Sequence, residues 1–300
     1  MGAVGLEDLD VFDSLTMRAL REFQTKHGLV VDGICGPQTW ASLVEADHQL
    51  GDRMIYLRSP MFRGDDVTQL QQQLGAFGFD AGWVDGIFGP DTEAALRDFQ
   101  RNQALTPDGV LGRDTVTCLA HLRGRTAGSK TVAEVRADES LRSLTGSVGG
   151  RRLVIGESGG LPAVVDSLSR RLRVDGAEVL ALHYPDLSVQ AKSANSWDGE
   201  VYMGVTLATT DHSVAFFATD GFESAGGRSL AGCCAKELGE VLISDLPVAG
   251  LRLPILRETR MPAIWCRVGP PALVVENSAA IVAGLRRAVT RWCADPLQKD

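Results

Sequence analysis

The chain has 300 residues, of which 44% are hydrophobic and 23% charged, so its length and composition suit two or three soluble domains. Its formal net charge of −8 makes nucleic acid and anionic membrane surfaces unfavourable partners. No apolar run is long enough to cross a bilayer, and the N-terminus lacks the basic start of a secretory signal. We therefore expect a protein that stays in the cytoplasm.

The cysteines show no metal-binding or disulfide spacing. They are Cys35, Cys118, Cys233, Cys234, Cys266 and Cys293. Reduced, mostly buried thiols explain this pattern, in agreement with a cytoplasmic location.

A helical segment of the first third recurs at an offset of 76 residues. Residues 12–43 align without gaps on residues 88–119, with 13 identical positions of 32. Thr, Ala, Leu and Phe stand at i, i+3, i+4 and i+7 in both copies, which gives one apolar helical face. The pattern predicts that Phe23 and Phe99 occupy equivalent buried places.

An Asp-Gly turn follows each of these helices, because glycine accepts the positive φ that such turns require. A third copy of the turn, DGIFGPDT at 85–92, lies between them. Residues 62–122 thus read as three helices joined by two turns, while the first unit, 1–50, lacks an opening helix. The DGxxGP turns and the ALRxFQ helix resemble the peptidoglycan-binding domain of bacterial cell-wall hydrolases.

That resemblance implies a glycan ligand for the two units. Trp40 and Trp83 are the candidate sugar-stacking residues, and Trp83 is the better one because it lies beside a turn. Two other interpretations stay open: a lone Trp is more often part of a core, and helical repeats also serve as packing modules without a ligand.

The second half has a different pattern. Residues 123–150 have the Gly-, Ser- and Thr-rich, charged composition of a linker. From 151 to 294 a short strand, a turn, an amphipathic helix and a second strand follow one another, which predicts a mainly parallel sheet with covering helices. Further strands are predicted at 201–207, 213–218 and 263–268, with helices at about 228–242 and 278–293.

The segment 256–263, LRETRMPA, and the word Ser229-Leu230-Ala231 resemble the zinc N-acetylmuramoyl-L-alanine amidases, which cut the glycan–peptide bond of peptidoglycan. With two binding repeats before it, the whole chain resembles the CwlM-type proteins of actinobacteria. The predicted fold class is therefore multidomain, with two small three-helix repeats followed by an α/β amidase-like domain.

The resemblance implies a zinc ion held by two His and a Glu, with a second Glu that moves protons. None of these residues stands at its matching position. Ser158 replaces the first His in the loop after the first strand, and Leu207 replaces the second. Residues 161–163 offer no carboxylate for the Glu ligand, and Arg267 stands where the proton-transferring Glu belongs.

Other sets of residues give weaker evidence for a metal site or a catalytic site. His183 and His212, with Asp186 and Asp211, are the alternative metal donors, but they come from scattered loops. Cys233-Cys234 fall inside a predicted helix, which disfavours a cysteine nucleophile.

We therefore predict a pseudoenzyme without zinc or another cofactor. It would bind peptidoglycan, its precursors or a cell-wall biosynthetic protein, and the resemblance implies a role in controlling precursor synthesis. An active amidase and a purely protein-binding scaffold are the alternatives.

Overall fold

A computed structural model describes most of the chain. The described residues are 11–122, 135, 139, 141–142, 144–210, 212–219, 222–242 and 245–297. They form a helical region followed by an α/β domain with a mostly parallel sheet, as the sequence predicts.

The helical region contains the helices of both predicted repeats. They are α1 (Ser14–Lys26), α2 (Pro37–Glu45), α3 (Asp65–Ala76), α4 (Pro90–Asn102) and α5 (Arg113–Leu122). Proline occupies the first position of α2 and α4, where its missing N–H costs no hydrogen bond. Gly28 and Gly78 follow α1 and α3 with φ of 59° and 90°, which lets the chain leave each helix without a Cβ clash.

A buried glutamine holds each of the three Asp-Gly turns in the same way. Its side-chain nitrogen donates to the turn aspartate, to a carbonyl two residues further on and to a buried threonine of the next helix. Its side-chain oxygen accepts the N–H of the turn glycine. The Gln-to-Asp distances are 2.8 Å at Gln24, 2.9 Å at Gln71 and 2.8 Å at Gln100. Gln71 lies outside the ALRxFQ word, so the repeat pattern does not predict this third instance.

The two phenylalanines that the repeat aligns are not equally buried. Phe99 has no exposed surface and lies between Phe77 and Phe79, with ring centroids at 5.9 and 5.7 Å. Phe23 is half-buried and stacks on His27 at 4.1 Å. The prediction of equal burial is therefore wrong. Phe77 and Phe79 follow α3, and the described part of the first unit has no counterpart of that helix.

The sheet of the second domain has the strand order β2-β1-β3-β7-β4-β5, with β6 paired to β4. The strands are β1 (Arg152–Glu157), β2 (Glu178–Leu182), β3 (Val201–Leu207), β4 (Ser213–Thr219), β5 (Phe222–Glu223), β6 (Val248–Leu251) and β7 (Ala263–Val268). Strands β2, β1, β3 and β7 are parallel, while β4 runs antiparallel to β7. The carboxyl ends of the parallel strands therefore meet at one edge.

Helices cover both faces of this sheet. They are α6 (Pro162–Val174), α7 (Leu187–Ser196), α8 (Ala225–Leu242), α9 (Pro254–Glu258) and α10 (Pro271–Ala294). One core lies between the sheet and α6, α8 and α10. The other lies between the sheet, α7 and α9, and it also includes Trp83 and Val84 from the second repeat.

Four elements, α7, α9, β5 and β6, give no clear signal in the sequence. Helix α7 has few apolar residues, and the other three elements are too short for a periodic signal.

The predicted linker is only partly a linker. Leu141 and Val148, 3% and 6% exposed, belong to the core of the second domain, and the N–H of Gly146 donates to Cys293 at the end of α10. The folded domain therefore begins before residue 151. Residues 123–134 lie outside the described part of the chain.

Candidate functional site

The three positions that the resemblance marks as vestigial lie at one edge of the sheet. Ser158 follows β1, Leu207 ends β3, and Arg267 is the next-to-last residue of β7. Thr206 of β3 is in register with Arg267. In open parallel sheets, ligands bind at this edge.

The first position now makes a local hydrogen bond. The hydroxyl groups of Ser158 and Thr206 lie 3.0 Å apart, so each uses the other as a partner. Neutral hydroxyl oxygens are poor zinc ligands compared with imidazole or carboxylate.

The second position is filled by hydrocarbon. Leu207 packs against the core formed with α6, α8 and α10, and it lies directly beside the loop after β1. A Cβ built on Gly160 would lie 3.2 Å from both Cβ and Cδ2 of Leu207. The loop backbone therefore closes over Leu207, which offers no donor to a metal.

The third position carries a cation. Arg267 is half-buried and is in register with Thr206 on one side and Ser213 of β4 on the other. A guanidinium stays protonated in proteins and cannot accept a proton or coordinate a cation. Arg267 therefore cannot replace the proton-transferring carboxylate that the resemblance implies.

An acidic cluster with one histidine lies beside these positions, and no sequence motif indicates it. Glu157 is 5% exposed and accepts the N–H of Gly159 at 2.7 Å. His183, which follows β2, places Nδ1 at 3.3 Å from Glu157 and Nε2 at 3.4 Å from Asp166 of α6. Its ring lies between two carboxylates, so the three side chains do not converge on one point.

These donors do not fit the zinc centre of the amidases. A catalytic zinc site needs three protein ligands that face one metal position. Within the described ranges, no group of three or more His, Cys, Asp or Glu side chains is arranged in that way. The side chains at this edge therefore do not fit the zinc ion that the sequence resemblance implies.

The alternative metal donors are not brought together. Asp186 caps α7 by accepting the N–H groups of Ser188 and Val189. His212 lies before β4 with Nδ1 at 3.0 Å from the carbonyl oxygen of Gly269. Four strand spacings, roughly 19 Å, separate β4 from β2, after which His183 lies. Asp211 lies outside the described residues.

The cysteines are all free thiols, and four of the six are buried. A hydrogen bond to Cys266, together with burial, raises the pKa of Cys234 well above its usual range. Burial raises the pKa of Cys293 to about 11. Thiols that stay protonated at neutral pH are weak nucleophiles.

The two candidate sugar-stacking residues lie in different environments. Trp83 is half-buried, and its ring meets Phe222 edge to face at 6.2 Å in the core of the second domain. Trp40 on α2 is 63% exposed. The more accessible aromatic surface therefore belongs to Trp40, although the sequence analysis preferred Trp83.

In the part of the chain that the structure describes, no helix combines the length and apolar character needed to cross a membrane.

Sequence comparisons find relatives for both halves. The family profile described as "Putative peptidoglycan binding domain" matches residues 4–43 and 63–119. CwlM of Mycobacterium tuberculosis, an N-acetylmuramoyl-L-alanine amidase by name, is 31% identical over 295 residues, which cover 87% of this chain and 72% of that protein. CwlL of Bacillus licheniformis, also named as an amidase, is 32% identical over 124 residues, covering 35% of this chain and 34% of CwlL.

Solved structures of N-acetylmuramoyl-L-alanine amidases resemble the chain more distantly. The enzyme of Clostridium difficile 630 aligns with a TM-score of 0.41 and 14% identity, covering 49% of this chain and 99% of that one. Ami1 of Mycobacterium smegmatis aligns with a TM-score of 0.42 and 9% identity, with the same coverage.

Proposed function

The chain belongs to the family of CwlM, and from that premise we propose that it is a non-catalytic protein of bacterial cell-wall metabolism. Its repeats would bind peptidoglycan or a precursor, and its amidase-like domain would serve as a regulatory or docking unit in the cytoplasm. The observation that carries the proposal is the composition of the sheet edge. A hydroxyl pair, a half-buried leucine and a guanidinium stand at the positions where the family resemblance implies two zinc ligands and a proton-transferring carboxylate.

Each replacement opposes the amidase reaction for a separate physical reason. The Ser158–Thr206 pair offers only neutral oxygens, and the side chain of Leu207 has no atom that can coordinate a metal. Arg267 would repel a divalent cation. Without a metal to lower the pKa of a bound water, no hydroxide nucleophile forms at neutral pH by that route.

We expect purified protein to hold far less than stoichiometric zinc and to release no peptide from peptidoglycan. Zinc is measured by elemental mass spectrometry after exchange into metal-free buffer, and peptide release by chromatography of digested sacculi with and without added zinc. The reason is the donor set at the sheet edge.

His183→Ala is the matched variant, because His183 is the imidazole next to Glu157 and Asp166 at this edge. Stoichiometric zinc that disappears in His183→Ala, together with zinc-dependent amide cleavage, would establish the active-amidase alternative and refute the proposal.

The binding half of the proposal rests on the peptidoglycan-binding match and on the exposed indole of Trp40. Sugars stack on open aromatic faces, and loss of one such contact costs more than about 1 kcal/mol when it is an energetic centre of the site. We expect Trp40→Ala to weaken co-sedimentation with insoluble peptidoglycan about tenfold.

Val44→Ala is the control for Trp40→Ala. Val44 is 52% exposed and stands four residues further along α2, on the same side of the helix. Equal binding by wild type, Trp40→Ala and Val44→Ala would show that Trp40 does not contribute to peptidoglycan binding. No sedimentation of the wild type would favour the protein-binding scaffold.

A further inference from the structure

The three Asp-Gly turns differ in the residue that covers the turn glycine. In the outer turns this residue is an arginine of the preceding helix, three positions before the buried glutamine. A Cβ built on Gly33 would lie 2.8 Å from Nε of Arg21, and one on Gly109 would lie 2.9 Å from Nε of Arg97. Both arginines come from the same repeat as the turn that they cover.

The middle turn has no such arginine in its own helix. The matching position of α3 is Thr68, whose Oγ1 would lie 2.5 Å from a Cβ on Gly86. The short side chain leaves room beside the turn, and Arg257 of α9 enters it, with Nη2 at 3.1 Å from the same Cβ position. The arginine that is missing from the repeat is therefore supplied by the amidase-like domain.

Arg257 is tightly bound in this position. Its Nε donates to the carbonyl oxygen of Asp85, its Nη2 to that of Gly86 at 3.2 Å, and its Nη1 lies 2.7 Å from the Glu45 carboxylate at the end of α2. The side chains of Arg257 and Glu45 are 8% and 14% exposed. A buried guanidinium is stable only when its donors are paired, and these contacts pair them.

The segment that presents Arg257 is held by its own domain. Ile255 and Leu256 are buried in the core between the sheet and α9. Asn195 of α7 donates to the carbonyl oxygen of Glu258 at 2.7 Å and accepts the N–H of Arg260 at 2.9 Å. Arg257 is therefore presented by a rigid element, which lowers the entropic cost of docking.

Two further polar contacts flank Arg257 on the same surface. Arg63 pairs with Glu258 at 2.7 Å, and Arg252, 7% exposed at its side chain, pairs with Asp65 at 3.1 Å. The N–H of Arg252 also donates to the carbonyl oxygen of Gly28 at 2.6 Å. Both repeats thus contact the segment 252–258.

We propose that the middle turn is a guanidinium socket whose partner is Arg257 of the same chain, and that this contact holds the repeats on the amidase-like domain. The space for Arg257 exists because Thr68 has a short side chain at the helix position where the other two helices carry Arg21 and Arg97. The surface of the middle turn is then an internal docking site, and of the three turns the two outer ones remain available to other ligands.

The test is hydrogen exchange of the full chain, read at the middle turn (85–87), the outer turn (108–110) and the docking segment (250–258). Arg257→Ala is expected to speed exchange about tenfold or more at the middle turn and the docking segment, and to leave the outer turn unchanged. Arg97→Ala, the matched control, is expected to affect only the outer turn.

The double variant Thr68→Arg/Arg257→Ala distinguishes stabilisation of the middle turn from docking of the repeats on the amidase-like domain. In this variant α3 itself supplies an arginine beside the middle turn. We therefore expect hydrogen exchange at 85–87 to become slow again, while exchange at 250–258 stays fast. Small-angle scattering should then give a radius of gyration above the roughly 19 Å of a compact 300-residue chain.

Unchanged exchange at the docking segment in Arg257→Ala would overturn the proposal, as would full recovery of that segment in the double variant. If Arg257→Ala does not fold, Arg257→Lys replaces it. Lysine keeps a positive charge for Glu45, but its one ammonium nitrogen replaces the three guanidinium nitrogens that contact Glu45 and the two turn carbonyls. Faster exchange at 85–87 and 250–258 is therefore still expected, and unchanged exchange contradicts the proposal.

Discussion

Replacing Gln71 by Leu is expected to lower the free energy of unfolding of the repeat region by about 3 kcal/mol. Leucine has a similar size but cannot donate to Asp85, Ile87 and Thr92 or accept the N–H of Gly86. The turn then keeps buried polar groups without these partners, and each such group costs about 1–3 kcal/mol. Chemical denaturation measures the loss, and hydrogen exchange assigns it to residues 85–92.

Gln100→Leu removes the same set of bonds but should cost less. Asp108 is exposed, and the backbone N–H of Val110 holds the pKa of its carboxyl below the usual range. Asp85 is half-buried, and burial raises the pKa of its carboxyl. Water can therefore replace the lost glutamine at Asp108 more easily than at Asp85.

Gln49→Leu is the control for both glutamine variants, because the side chain of Gln49 is exposed. We expect a change within about 0.5 kcal/mol. Equal stability of wild type and Gln71→Leu would show that the glutamine does not hold the turn.

Gly204→Ala is expected to destabilise the amidase-like domain by about 3 kcal/mol. Gly204 lies in the middle of β3, in register with Trp265 of β7. A Cβ at this position would lie 2.0 Å from Cε3 and 2.3 Å from Cζ3 of the Trp265 ring. The ring is 5% exposed and packed in the core, so it cannot move without opening a cavity.

A double-mutant cycle identifies this clash as the cause. Trp265→Leu removes the ring, so adding Gly204→Ala to that variant should cost much less than it costs in the wild type. Gly149→Ala is the control, since its Cβ would meet its nearest neighbour at an ordinary 3.5 Å. The same penalty for Gly204→Ala with and without the indole ring would disprove this explanation.

The sequence by itself determined the features that depend on local order. The repeat, its Asp-Gly turns and the strand–helix–strand pattern are periodic signals within a few tens of residues, and the structure has all three. The residue types at positions 158, 207 and 267 are also read directly from the chain. Their meaning depends on the family resemblance, which the identity to CwlM supports.

Only the tertiary structure decided the contacts between distant segments. Gln71 reaches its turn 14 residues later, in contrast to 8 residues for Gln24 and Gln100, so no common spacing revealed it. Phe23 is half-buried for a similar reason, because burial at that position depends on a packing helix and not on the residue itself.

The docking of Arg257 and the placement of Trp83 against Phe222 join residues more than 130 positions apart. An arginine in a helix and a tryptophan beside a turn have the same local sequence signal whether they face water or another domain. Periodicity reports which side of an element is apolar, whereas the identity of the partner on that side is set by how the two domains pack.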